Sequence, residues 1–222
     1  MSYNECTLIF LVRSMVAMSV AMKVASRVNR MKRGVPFPIT GFYALGNHTS
    51  VQKSISRLAQ EGVVVRVAKG FYVRPKPLAS IPSIKTTASA EQVAKAWAKV
   101  NGYKLVSQGQ EAAYRLGLQT QAPMKTVYWS NGPTREFSIG NQVVEVRHVC
   151  DQKLRWEKAP EGTFLRGLLV TPPESVDVSD LKKAGQRLSL TPAEIKIVAK
   201  KLSTVPMLNA WQSKLAQLEQ AL

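Results

Sequence analysis

The chain has 222 residues, 45% of them hydrophobic, and a formal net charge of +17 from 31 Lys and Arg against 14 Asp and Glu. That length supports one or two domains with a proper core, and that apolar share excludes a disordered or low-complexity chain. The charge excludes an acidic protein that repels polyanions and points to nucleic acid first, anionic membrane second. It is unevenly spread: residues 1–87 carry 13 basic residues against two acids, Glu5 and Glu61, whereas 88–222 carry 18 against 12. The first part reads as a cationic module and the second as an ordinary mixed surface.

In chain order, residues 1–17 hold an apolar run, Leu8 to Val12, too short to span a bilayer and without the basic start and small-residue cleavage site of a signal peptide. They are expected to be an extension, either a translation-start artefact or a helix added at an edge, with Met15 and Met18 as later starts. Val24, Val28 and Met31 then recur at helical spacing within Val20–Met31, with Lys23, Arg27, Arg30, Lys32 and Arg33 on the other face and at the end. Cations there suit the helix dipole and equally suit phosphate.

Thr40 heads a short apolar turn with Phe42, Tyr43 and Leu45. The next segment, His48–Gly62, places Val51, Ile55 and Leu58 at i, i+4 and i+7, a single helical stripe with Asn47 or Thr49 as cap and Gly62 as stop. Val63–Val67, the turn Ala68-Lys69-Gly70 and Phe71–Val73 read as a hairpin. Helix, turn, helix, hairpin is the order of a winged helix-turn-helix, assigned to 18–75.

If Val51 faces the core, Thr49, Lys53, Ser56 and Gln60 point outward, with Gln52 and Arg57 on the flanks. That face carries amide and hydroxyl groups suited to base edges and cations suited to phosphates, and no acid before Glu61. The bland alternative is a solvated helix face, but solvated faces usually mix signs. The expected DNA-contacting residues are therefore Thr49, Ser50, Gln52, Lys53, Ser56 and Arg57 on the helix, with Arg66, Lys69, Lys32, Arg33 and Arg74 supporting them from wing, loop and linker.

Arg74–Thr87 is Pro- and Ser-rich without apolar periodicity, and 76–87 is expected as an extended linker. The second domain, 88–222, opens on Ser89 with Gln92 three residues on, a capping box, and a stripe of Val93, Trp97 and Val100. Gln110–Leu116 reads as a short helix ended by Gly117. Lys125–Trp129, Arg135–Ile139 and Gln142–Val149 alternate as three strands, expected as an antiparallel meander. The end reads as helical: Gly162–Leu169, Ser179–Leu188, a helix capped by Thr191-Pro192-Ala193-Glu194, and Val205–Leu222 with Leu208, Trp211, Leu215 and Leu218 on one side.

Catalytic signals are wanting. No Gly-rich phosphate loop or nucleophile elbow is present, and the acids scatter through Pro- and Gly-broken stretches. Cys6 and Cys150 are the only cysteines, and His148 with Cys150 gives two potential ligands on a strand, short of a zinc site. No enzyme activity, cofactor, metal or disulfide is expected, and a reducing cytoplasm is the expected setting.

Gly34-x-Pro36-Phe37, Val51-x-x-x-Ile55-x-Arg57-Leu58-x-x-x-Gly62 and Lys69-Gly70-Phe71-Tyr72-x-x-Pro75 together resemble the winged-helix half of AbiEi-type antitoxins. Val127-Tyr128-Trp129-Ser130-Asn131-Gly132-Pro133-Thr134-Arg135, followed by Ile139-Gly140, resembles the central strands of their antitoxin domain. The resemblance spans roughly 20–170 and implies a bacterial type IV toxin–antitoxin protein of phage defence. It implies an N-terminal domain that represses its own operon and a C-terminal domain that opposes a nucleotidyltransferase-fold toxin encoded alongside. Only the helix from Thr49 to Gln60 and the wing around Lys69 inherit a DNA role; no antitoxin residue is carried over, and 1–17 depart from the pattern.

The expected fold is α+β: a winged helix followed by a mixed domain with a small antiparallel sheet and C-terminal helices. The expected function is a sequence-specific DNA-binding autorepressor and antitoxin. Its partners would be operator DNA, the cognate toxin and a second copy of the chain on DNA, with no membrane. Two rivals stay open: a plain winged-helix regulator whose second domain dimerises or senses, and an RNA-binding or nucleic-acid-modifying enzyme.

Overall fold

The computed structural model describes residues 18–80 and 85–222. The extension assigned to 1–17, with Cys6, lies outside the described residues. The fold is α+β, an N-terminal winged helix-turn-helix followed by a mixed helix-and-sheet unit, with the division between Ala88 and Ser89.

In unit 1, helix α1 (Val20–Arg30) starts at Ser19, whose Oγ accepts from Met22 N at 3.2 Å. It buries Val24 and Val28 completely. A 3-10 segment, Ile39–Leu45, folds Phe42 inward and leads into α2 (His48–Gln60). Of the two caps expected for α2, Asn47 is the one formed: its Oδ1 accepts from Thr49 N at 2.9 Å. Helix α2 buries Val51 and Ile55 at 0% exposure, and sealing Ile55 alone contributes about 1.5–3 kcal/mol. Gly62 follows with φ +68, a backbone state that ends the helix at little cost only for glycine.

Strands β1 (Pro36–Pro38), β2 (Val65–Ala68) and β3 (Phe71–Val73) form an antiparallel sheet in the order β1-β3-β2. Two prolines are tolerated in β1 because it is an edge. Within the stretch expected as an extended linker, 76–87, β4 (Lys76–Pro77) runs antiparallel to β5 (Lys85–Thr86), and Thr86 Oγ1 donates to Lys76 O at 3.1 Å. The X-Pro steps that suggested a linker also bias the backbone toward extended conformations, which a strand can use.

Unit 2 begins with α3 (Ala90–Val100), whose capping box joins Ser89 and Gln92 in both directions. Val93 and Trp97 are buried as expected, but Val100 is 46% exposed. Ala90, Ala94 and Ala98 complete the stripe instead, because the Trp97 ring sits against Tyr103 and Phe137 and draws that side of the helix inward. Helix α4 (Gly109–Leu116) follows a short strand, β6 (Leu105–Ser107).

The meander expected over 125–149 is corrected at one ladder. β7 (Thr126–Ser130), β8 (Arg135–Ile139) and β9 (Gln142–His148) join β6 in the order β6-β7-β9-β8. β8 and β9 form the antiparallel hairpin, but β9 lies between β8 and β7 and runs parallel to β7. The Asn131-Gly132-Pro133 turn and Thr134 after it are bonded to Lys104 before β6 and to β9 rather than closed into a β7–β8 hairpin. Asn131 Oδ1 accepts from Lys104 N at 2.9 Å, and Thr134 Oγ1 accepts from His148 N at 3.0 Å. Gly132 lies so close to the Tyr103 ring that an added Cβ would stand 2.5 Å from it.

The C-terminal half packs α5 (Pro160–Leu168), α6 (Val178–Arg187), α7 (Pro192–Ser203) and α8 (Gln212–Gln220) around one apolar cluster. The Thr191–Glu194 capping box forms in full. The single helix expected over 205–222 is instead a 3-10 segment, Pro206–Trp211, bent at Leu208 (φ −109°, ψ 22°) and continued by α8. The bend accompanies a packing demand, since Trp211 Nε1 donates to Leu168 O at 3.0 Å while Leu208, Trp211, Leu215 and Leu218 all stay buried. Among the described residues, no helix is long and apolar enough to cross a membrane.

Candidate nucleic-acid interface

The apolar side of α2 fixes what the other side presents. With Val51 and Ile55 sealed inside, Ser54 is also drawn in, its Oγ donating to Ser50 O at 2.7 Å. Thr49, Ser50, Gln52, Lys53, Ser56, Arg57 and Gln60 are all exposed. The 4-3-4 spacing of Thr49, Lys53, Ser56 and Gln60 sets those four on one line of the helix. Hydroxyl, amide and ammonium groups therefore share one surface, and the acid nearest to it in sequence, Glu61, comes after the last turn.

The wing adds Arg66 on β2 and Lys69 at the β2–β3 turn, both exposed. Lys32 and Arg33 are exposed in the loop after α1. Arg33 and Arg74, however, are each bound to the protein's own backbone. Arg33 Nη1 donates to Pro75 O at 3.2 Å. Arg74 is half-buried, and its Nη1 donates to Asn29 O at 2.6 Å and Met31 O at 3.3 Å, the carbonyls left open at the end of α1. Arg74 thus closes the helix C-terminus. Sequence spacing gave no sign of this, because the partners lie more than forty residues apart.

Helix α1 offers a further basic surface. Lys23, Arg27 and Arg30 line a cleft with Met18, Ser26 and Leu45. The Arg27 guanidinium stands 5.0 Å over the Phe42 ring, a cation–π contact that holds its stem while leaving the residue exposed. Among the described residues of unit 1, Glu61 is the one acid, and no ion pair ties up any of these cations. A face of unneutralised cations interleaved with hydrogen-bonding side chains can release counterions from a phosphate backbone and read groove edges.

In unit 2, His148 is drawn into the turn, its Nδ1 lying 3.1 Å from Gly132 O, and Cys150 is an exposed free thiol. Among the described residues, no group of three or more His, Cys, Asp or Glu side chains is placed to hold a metal ion.

A family model described as "Family of unknown function (DUF6088)" matches residues 23–189, and the chain belongs to that family. No curated protein matches the chain. Among solved structures, the chain is similar to the RV2827C protein from Mycobacterium tuberculosis, with a TM-score of 0.44 and 14% identity over 89% of this chain and 75% of that one.

Proposed function

We propose that this DUF6088 protein is a cytoplasmic, non-enzymatic, sequence-specific DNA-binding autorepressor. Its second unit serves as the antitoxin to a nucleotidyltransferase-type toxin encoded beside it. The observation that carries the DNA reading is the exposed face of α2, where Thr49, Gln52, Lys53, Ser56 and Arg57 stand together with no acid among them. In this reading α2 enters a major groove, Gln52, Lys53 and Ser56 meet base edges, and Arg57, Arg66, Lys69, Lys32 and Arg33 meet phosphates. A homodimer on DNA would double that footprint. The antitoxin half is supported by the resemblance of Val127–Arg135 and Ile139-Gly140 to the central strands of AbiEi-type antitoxins.

The test pairs two assays on the same variants. The full chain is titrated onto the DNA upstream of its own gene and onto unrelated DNA, and cells expressing the adjacent gene are scored for growth with and without the chain. Tight binding to the upstream DNA and rescue of growth are expected. Lys53→Ala with Arg57→Ala should abolish repression and leave rescue intact. Equal affinity for every DNA sinks the repressor half, and no adjacent toxin to neutralise sinks the antitoxin half.

A further inference from the structure

Among the described residues, Arg166 alone has buried side-chain polar atoms without a hydrogen-bond partner: its Nε and Nη1. It sits on α5, 4% exposed, in the wall of a cleft of about 300 Å³ within unit 2. Burial pulls its guanidinium down to about 10, with the Glu157 charge pushing back and Arg115 adding to the fall. It therefore remains a cation at neutral pH, inside the protein and next to a second guanidinium.

The cleft gathers four cations, Lys95, Arg115, Lys158 and Arg166, against two carboxylates, Glu91 and Glu157. Glu91 is already engaged: Oε1 accepts from Lys95 Nζ at 2.6 Å and from the Tyr128 hydroxyl at 2.6 Å. Arg115 uses only Nε on Glu111, at 3.0 Å, which leaves its terminal nitrogens out of that pair. Lys158 is exposed and in no ion pair among the described residues, and Glu157 forms no salt bridge to Arg166. A buried charge without a bound counter-charge is one that an apolar residue of the same size would ordinarily replace with gain in stability. Its presence at a cleft wall calls for an anion.

We propose that this cleft binds a small phosphate-bearing ligand, gripped by the guanidinium groups of Arg166 and Arg115 with Lys158 contributing from the exposed side. With Glu111 counted beside Arg115, the cleft keeps an excess of one cation, the sign that attracts a phosphate monoester. Guanidinium forks suit phosphate oxygens in bidentate geometry, and Ser107 and Thr163 add hydroxyl groups to the lining. The volume is at the small end for ligand sites, enough for a phosphoryl group and a modest attachment. The site is built from unit 2 residues alone and does not depend on the DNA reading.

The full chain is titrated calorimetrically with inorganic phosphate, with adenosine 5′-monophosphate and with adenosine. The two phosphate probes should bind saturably and adenosine should not. If inorganic phosphate binds as tightly as the nucleotide, the free anion is the ligand; if the nucleotide binds more tightly, a phosphate ester is. Arg166→Met should weaken both probes about tenfold or more. Arg115→Ala and Lys158→Ala, at exposed positions, should each weaken them about two- to fivefold. The Lys53→Ala, Arg57→Ala double variant should bind phosphate as the wild type does, which excludes capture at those two residues, while the Arg115→Ala and Lys158→Ala losses place the binding in this cleft. No saturable phosphate binding by the wild type overturns the proposal. So does undiminished binding in Arg115→Ala and Lys158→Ala, whether or not Arg166→Met folds.

Discussion

The two units differ in what their charged side chains are tied to. In unit 2, six ion pairs bind Lys or Arg to a carboxylate, most of them on the surface and three within one turn of helix. In unit 1, the described cations meet no carboxylate, and the contacts that Arg30, Arg33 and Arg74 make are to backbone carbonyls. Paired charges cancel beyond a few ångströms, whereas unpaired ones add into a field that reaches a partner before contact. The partner of a cation therefore says more about its use than the number of cations does. By that measure Arg166 resembles the cations of unit 1 although it is buried in unit 2.

The comparison breaks most visibly if damage to one unit is felt in the other. Trp211→Ala removes a side chain that is 3% exposed and hydrogen-bonded to Leu168 O. It should lower the stability of unit 2 by about 3–5 kcal/mol in urea unfolding. Affinity for upstream DNA should hold at denaturant concentrations where unit 1 stays folded; a parallel loss would show one cooperative body.

Next in size is the effect of removing a cation from the α2 face. Lys53→Ala should cost about 1–3 kcal/mol on the upstream site and little on other DNA if Lys53 reads a guanine edge. If it meets phosphate, the loss should be uniform and the slope of log affinity against log salt should fall by roughly 0.9. Ser56→Ala should change preference between sequences without changing that slope. A salt response unchanged in both variants removes this face as the interface.

Acid should separate the units further. Burial pushes the Glu161 carboxyl up, but the Lys201 ammonium at 2.5 Å and a backbone hydrogen bond outweigh it, holding it below the ordinary carboxylate value. Its contribution is therefore fully present above the unfolded value, about pH 4.3, and is lost as pH falls through the folded one. Lys201→Met should cost on the order of 1 kcal/mol at pH 7, a figure kept low by the half-exposed lysine. The gap between variant and wild type in urea midpoint should narrow toward pH 3. A gap that is constant with pH means that the pair is not what the lysine provides. Unit 1 has no such carboxylate pair among its described residues, so its DNA-free unfolding should respond less to acid.

The smallest effect is local. Ser89→Ala removes the hydroxyl that accepts from Gln92 N at 3.2 Å and should cost about 1 kcal/mol, read as a lower melting temperature for unit 2 alone.

What the sequence made legible was what short spacing controls. The Val51–Ile55 stripe, the stop at Gly62, the Ser89 and Thr191 boxes and the strands of 63–73 and 125–149 declare themselves within a few residues, whereas the two- and three-residue strands β1, β4, β5 and β6 are too short to show a period. The sheet order did not, because alternation marks a strand without naming its neighbour: β6 is only three residues long, and nothing local says that β9 runs beside β7. Val100 fitted its stripe by spacing and was displaced by how Trp97 packs. On the DNA face, the outward set on α2 was readable from period alone. The diversion of Arg74 to the end of α1 was not, because it depends on a contact between distant segments. Arg166 showed itself only as a charge interrupting Phe164, Leu165 and Leu168, a pattern equally compatible with a helix edge.

The position of β9 also makes the rest of the sheet depend on its last strand. β7 and β8 precede it in the chain, yet in the sheet they are not hydrogen-bonded neighbours; they stand two strand spacings apart, about 9–10 Å, with residues 142–148 between them. The Asn131 bond to Lys104 ties the turn to the start of β6. A nascent chain ending before Gln142 would have β7 paired on one side only, with its other edge open to any strand nearby. β9 thus closes two ladders at once and carries Val144 and Val146 into the core.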